Sequence, residues 1–305
     1  MSQLVFFLGK GGVGKTTLSA ATAFALSRQG RKVLIASLDP AHNLGDIFGI
    51  RLRNEPMPVA DGLDGIEVDV AEWVARYLDE SRREIKANYA YSMSLNLDSL
   101  LDILKYAPGT EEYAVLWAIE HVHRTHADTH DTIVFDTPPT ALALRFLAMP
   151  SLSILWTRAL AKLRGQILAK RQTLLRVNPD APVPKGAIDK REDRVYGKLT
   201  SIQTRLHALH DLFIRESYLT VVMNPDELSL AESLRIREEL DRLGLTLRSV
   251  CLNKAVPAAA IPKGLAEHFK DFPVFVSDLR PGGIRGLQGL AQVDICGLVR
   301  HIGSL

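Results

Sequence analysis

The run Gly9-Lys10-Gly11-Gly12-Val13-Gly14-Lys15-Thr16 stands between the apolar pentapeptide Leu4–Leu8 and a segment with small and apolar residues at helical spacing. It limits what this chain can fold into more than any other feature. Glycine at alternate points lets a backbone wrap until successive N–H groups and the start of the next helix face one anion. The pattern is G-x-x-x-x-G-K-[ST], and its spacing assigns each residue a duty. Lys15 would reach the outer phosphates of a nucleotide and the Thr16 hydroxyl would join a Mg²⁺ shell. The expected phosphate-binding residues are therefore Gly9, Gly11, Gly12, Val13, Gly14, Lys15, Thr16 and Thr17, and the expected ligand is a nucleoside triphosphate with Mg²⁺.

The flanks of this loop predict the architecture. Leu4–Leu8 is apolar on both faces, as a buried parallel strand requires. A helix is expected from about Gly14 to Gln29, with Leu18, Ala21, Ala25 and Leu26 on its inner face and Gly30 as its stop, and Lys32–Ser37 supplies a second strand. Further core strands are expected at Ile66–Val70, Thr132–Phe135, Tyr218–Met223, Leu247–Leu252 and Pro273–Val276. Together they predict an α/β fold: a doubly wound, mostly parallel sheet of P-loop type with an inserted α-helical subdomain. The core is expected to comprise residues 1–70, 129–149 and 218–305, and the helical subdomain two insertions, 71–128 and 150–217. The proline-bearing loop 178–185 interrupts the second insertion.

Composition narrows the partners. The 37 basic and 35 acidic side chains leave a formal charge of +2, too little for a global field that would recruit nucleic acid. The apolar run before the loop is too short for a signal-peptide core, and no uninterrupted apolar run reaches the roughly 18 residues of a membrane span. A cytoplasmic protein, not itself membrane-spanning, is the expectation. Cys251 and Cys296 are the two cysteines, far apart and without a C-x-x-C pair, so neither a disulfide framework nor a cysteine-rich zinc site is available.

Two further segments carry a family resemblance: Leu38-Asp39-Pro40-Ala41-His42-Asn43-Leu44-Gly45-Asp46, and Phe135-Asp136-Thr137-Pro138-Pro139-Thr140 through Leu144-Arg145-Phe146-Leu147. With the Lys10 loop, they resemble the ATPases of arsenite pumps and tail-anchored-protein targeting, in the deviant Walker A class. Pro225–Glu232 and Val250–Asn253 are similar to later segments of the same family. The resemblance implies a homodimer that clamps two ATP molecules, with Lys10 of one subunit reaching the nucleotide of the other. It implies Asp39 as the residue that orients the attacking water, Asp136 as a holder of Mg²⁺ through its water shell, and Asn253 near the adenine. Catalytic roles would thus fall to Lys10, Asp39 and Lys15, and metal-holding roles to Thr16, Asp39 and Asp136. The plainer alternatives are a solvated loop lysine for Lys10, a turn or cap before Pro40 for Asp39, and a structural hydrogen-bonding residue for His42.

The chain departs from the family pattern in places. Ala141-Leu142-Ala143 stands where a Gly-His-Thr is usual, and Lys254 where a Gln is common. Three thiolates, which a soft arsenic(III) centre prefers, cannot be assembled from two cysteines. The leading expectation is therefore a nucleotide-driven switch that handles a hydrophobic helix cargo or a membrane-protein partner. The apolar residues Met93–Leu104 and Leu152, Ile154, Leu155 and Trp156 are its candidate surface. Arsenite- or antimonite-efflux driving and a partition-type assembly switch are the alternatives. The C-terminal segment Leu290–Ile302 is weakly amphipathic with a single arginine, unlike a basic membrane-targeting tail.

Overall fold

The computed structural model describes residues 2–40, 43–88, 107–179, 186–256, 262, 264–280 and 283–304. His42 and the Met93–Leu104 segment lie outside them. Eight strands form one sheet: β1 Gln3–Leu8, β2 Val33–Ser37, β3 Met57–Ala60, β4 Leu63–Glu67, β5 Thr132–Asp136, β6 Ser217–Met223, β7 Leu247–Ala255 and β8 Val274–Asp278. Their order is β3-β4-β2-β5-β1-β6-β7-β8, and every neighbouring pair is parallel except β3 with β4. The antiparallel edge strand Met57–Ala60 carries no period-2 apolar signal, since it is only half-buried, and sequence reading passes over it. The strand expected at Ile66–Val70 lies three residues earlier, because Val70 already opens a helix.

The helices are α1 Lys15–Arg28, α2 Asn43–Phe48, α3 Val70–Asn88, α4 Thr110–His126, α5 Thr140–Val177, α6 Arg194–Asp211, α7 Glu227–Arg242, α8 Leu265–His268, α9 Gly286–Leu290 and α10 Cys296–Gly303. All of β1 beyond its first residue is buried on both faces. Val5 and Phe7 join a core with Leu18, Leu26 and Ile35, to which α10 adds Leu298 and Ile302. The opposite face stacks Phe6 on Phe135, with ring centroids 4.7 Å apart. The C-terminal segment thus spends its apolar stripe on α1 and the sheet.

Two compact units divide the chain: Met1–Leu147 with Glu216–Leu305, and Ala148–Arg215. The described helices between β4 and β5, α3 and α4, pack on each other inside the first unit. The second unit holds α6 and most of α5, a single helix of 38 residues that runs through Pro150 without ending there. Inside it, Arg164 donates two hydrogen bonds to Asp193, at 3.0 and 2.6 Å, while the same carboxylate caps α6 by accepting from the Tyr196 N–H at 2.7 Å. The Arg164 guanidinium holds the Asp193 carboxyl below the usual carboxylate range. Among the described residues, α5 alone is long and apolar enough to cross a membrane, and 33% of its most apolar stretch is buried.

Candidate functional site

Strand register gathers the site. Phe7 on β1 lies beside Asp136 on β5, Asp136 beside Ser37 on β2, and Ser37 beside Glu67 on β4. The Gly9 loop, Asp136 and Asp39 therefore leave the sheet at one edge. They do so around β1, where the chain order turns from β5 and β2 on one side to β6 and β7 on the other. Ligands of open α/β sheets bind at such reversal points.

The loop's shape depends on its glycines. Gly9, Gly12 and Gly14 have φ of 147°, 79° and 94°, the region that side chains disfavour. A Cβ on Gly9 would lie 2.3 Å from the Val222 carbonyl oxygen, and one on Gly14 would lie 2.3 Å from Asn253 Nδ2. The loop is braced from β7: Asn253 Nδ2 donates to the Val13 carbonyl at 2.7 Å, and Lys254 Nζ donates to the Gly12 carbonyl at 2.7 Å. Lys254 has φ 58°, the one positive value at a non-glycine among the described residues. Gly14 is the N-cap of α1 and offers no side-chain cap, so the N–H groups of the first turn stay available to an anion. Thr16 and Thr17 sit half-buried in that turn, and Lys10 is exposed on the loop.

Beneath the loop, charge is confined. Lys15 is only 6% exposed, and its ammonium donates to the Lys10 carbonyl at 3.2 Å. Burial lowers its pKa, opposed by the negative charges of Asp136 and Asp39. Asp136 is wholly buried, which pushes its pKa up to about 7 against the nearby Thr16 hydroxyl and the charge of Lys15. Ser37 donates weakly to its Oδ2 at 3.4 Å, whereas Oδ1 meets no hydrogen-bond donor. A buried carboxylate oxygen without a donor needs a cation or a water that the protein itself does not provide. A hydrated Mg²⁺ beside the Thr16 hydroxyl would meet that need, so these residues fit the ion. Asp39 is half-buried on the same rim, and its N–H donates to Ser37 Oγ at 3.4 Å.

Three participants escape sequence reading. Ser37 meets Asp136 only because β2 and β5 pair in that register, and Thr137 fixes the β5 exit by donating to the Phe7 carbonyl at 2.6 Å. Lys254 reaches Gly12 across 242 residues of chain. The Ala141-Leu142-Ala143 segment forms the first turn of α5, where the Leu142 and Ala143 N–H groups donate to the Pro139 carbonyl. Of the cysteines, Cys251 is buried with its thiol pushed up to about 12 and Cys296 is exposed. Among the described residues no group of three His, Cys, Asp or Glu side chains is placed to hold a metal ion.

Taken together, this geometry fits a phosphate cradle with room for a cation beside it and a carboxylate, Asp39, on the rim. The model of the anion-transporting ATPase family matches residues 2–295. A protein of Aquifex aeolicus (strain VF5), provisionally named arsenical pump-driving ATPase 1, is 28% identical over 95% of this chain and 77% of its own length. A similarly named protein of Chlorobaculum tepidum is 31% identical over 84% of this chain and 62% of its own length. The "ATPase get3" of Schizosaccharomyces japonicus is 28% identical over 94% of this chain and 90% of its own.

Proposed function

The chain belongs to the anion-transporting ATPase family and is an ATPase, and from that premise we propose that it is a homodimeric switch whose ATP-driven closure handles an apolar helix of a membrane protein. One observation carries the cargo assignment. On α5, Leu152, Leu155, Trp156, Leu163, Ile167 and Leu174 are 59, 68, 66, 53, 46 and 52% exposed. At about 100° per residue they fall within a stripe about 120° wide, while Ser153, Ile154, Thr157 and Leu168 bury the other side. So wide an apolar stripe facing water, broken only at Gln166, Lys170 and Thr173, supports the reading of a surface that another apolar element covers.

The chemistry follows from the site. The loop N–H groups and the first turn of α1 hold the phosphates of ATP, and Lys15 exchanges the Lys10 carbonyl for a phosphate oxygen. Thr16 and Asp136 would hold Mg²⁺, which would supply neutralisation of charge on the outer phosphates. Asp39 orients the water that attacks the terminal phosphorus. Lys10, exposed and not needed to shape the loop, serves the nucleotide of the other subunit, and Asn253 fixes the loop edge nearest the base. Closure lasts as long as the terminal phosphate does.

Arsenite- or antimonite-efflux driving is less well supported, because Cys251 is a buried thiol and Cys296 is left as a single exposed one. The partition-type reading has no surface of its own in the described residues. The decisive experiment is capture of a twenty-residue Leu/Ala transmembrane peptide by the full chain with ATP and Mg²⁺. Trp156→Glu with Leu163→Glu should abolish capture and leave ATP turnover within two-fold. Equal capture by that variant would remove the cargo assignment.

A further inference from the structure

We infer that Glu67 is a positioning residue for ATP turnover: its carboxylate fastens the helix that follows Asp39 to the end of β4. The inference rests on the reading of Asp39 as the residue that orients water. Asp39 leads into α2, a six-residue helix beginning at Asn43. The first N–H groups of any helix have no partner within it. Glu67 Oε1 accepts from the Gly45 N–H at 3.0 Å.

Three other contacts set the position of the backbone that carries that carboxylate. Glu67 pairs with Ser37 in the β2–β4 register, the Val68 N–H donates to the Ser37 carbonyl at 3.0 Å, and the Glu67 N–H donates to the Arg53 carbonyl at 2.9 Å. Glu67 is thus anchored to the same strand end from which Asp39 departs. Gly45 is closely fitted from the other side. Its carbonyl accepts from the Gly49 and Ile50 N–H groups at 2.8 and 3.1 Å, and a Cβ there would stand 2.7 Å from the Ile50 carbonyl oxygen.

Packing against the core holds one side of α2. Leu44 and Phe48 are its buried apolar side chains. A cavity of about 1010 Å³, lined by Gly45, Arg51, Asn54, Glu67, Glu72 and Arg76, opens beside it. Without the carboxylate, α2 has room to shift, and the segment that carries Asp39 shifts with it. Small misplacements of an orienting group lower the rate of chemistry more than they lower affinity. Glu67 stands three residues before α3, so displacement of α3 on closure would reach Asp39 through this bond.

The test measures kcat and KM for ATP, with Mg²⁺, in the full-length Glu67→Ala, Glu67→Gln, Asp39→Asn and Glu67→Ala/Asp39→Asn variants. Glu67→Ala should lower kcat about ten-fold with KM within two-fold, because the phosphate loop is untouched. Glu67→Gln, whose amide oxygen can accept the same bond, should recover most of that loss, which also separates positioning from misfolding. The double variant should turn over at the Asp39→Asn rate. If Glu67→Ala keeps the parental kcat while Asp39→Asn loses it, the proposal falls and the reading of Asp39 stands. Asp39→Asn at the parental rate removes the premise itself. Losses that multiply in the double variant, or a Gln variant no better than Ala, overturn the proposal as well.

Discussion

Replacing Asp136 by Asn should stabilise the nucleotide-free protein while abolishing turnover, and the gain should depend on pH in a defined direction. Burial raises the Asp136 pKa from 3.8 to about 7. Below the unfolded value the carboxyl is protonated in both states and adds no pH dependence. Between the two values the folded state holds a proton that the unfolded chain has released, so stability falls as pH rises. Above about 7 the penalty is complete and constant. Each pH unit corresponds to about 1.4 kcal/mol, which gives a full penalty of about 4 kcal/mol, with about 3 kcal/mol of it arising between pH 5 and pH 7. Asn resembles the protonated acid in shape and charge, so it escapes this penalty.

At roughly 2 °C per kcal/mol for a chain of this size, the melting temperature of Asp136→Asn should gain about 6 °C on the parent between pH 5 and pH 8. Differential scanning fluorimetry without nucleotide or Mg²⁺ reads this directly. A difference between the two proteins that does not change across that range would refute the assignment of Asp136 as a carboxylate ionised at a cost. With Mg²⁺ and ATP present the parent should recover stability at pH 8, and the Asn variant should recover less of it.

Gly9→Ala should abolish nucleotide binding by equilibrium fluorescence titration, because its Cβ would meet the Val222 carbonyl oxygen at 2.3 Å, a backbone atom that cannot move aside. Asn253→Ala removes the 2.7 Å brace on the Val13 carbonyl and should weaken ATP binding about five-fold, the equivalent of roughly 1 kcal/mol for one hydrogen bond; calorimetric titration checks it. Native protein should react with one equivalent of a thiol reagent at pH 8, through Cys296, and with a second only after unfolding, because Cys251 is buried with its thiol pushed up to about 12. Arg164→Met should leave the Asp193 carboxylate without its two charge-assisted bonds and lower stability by about 2 kcal/mol at pH 7. Since Arg164 holds that carboxyl below its usual range, the stability it confers is present above the ordinary carboxylate pKa and fades as pH falls through the depressed value. The gap between parent and variant should therefore narrow in acid.

The sequence by itself determined the parts whose signals are local. A run of four glycines ending in Lys15-Thr16, between an apolar pentapeptide and a helical repeat, permits little besides a phosphate cradle on a strand–helix turn. Apolar runs ending in Asp, Asn or Pro likewise foretold a parallel sheet with polar groups at one edge. Tertiary structure alone decided what depends on register and distance along the chain. Whether Asp136 faces Ser37 or a neighbour is set by the pairing of β2 with β5. Whether Lys254 and Asn253 touch the loop depends on β7 lying two strands from β1, and no local pattern encodes either. The exposure of the α5 stripe was equally hidden, since Leu155 and Leu168 are the same residue type and differ only in what packs against them. Burial by distant parts of the chain gave Asp136 its altered acidity, and a hydrogen bond across 22 residues joined Glu67 to Gly45. Those long-range contacts surround a phosphate loop legible in eight residues with a buried carboxylate, a second carboxylate on the rim and braces from distant strands.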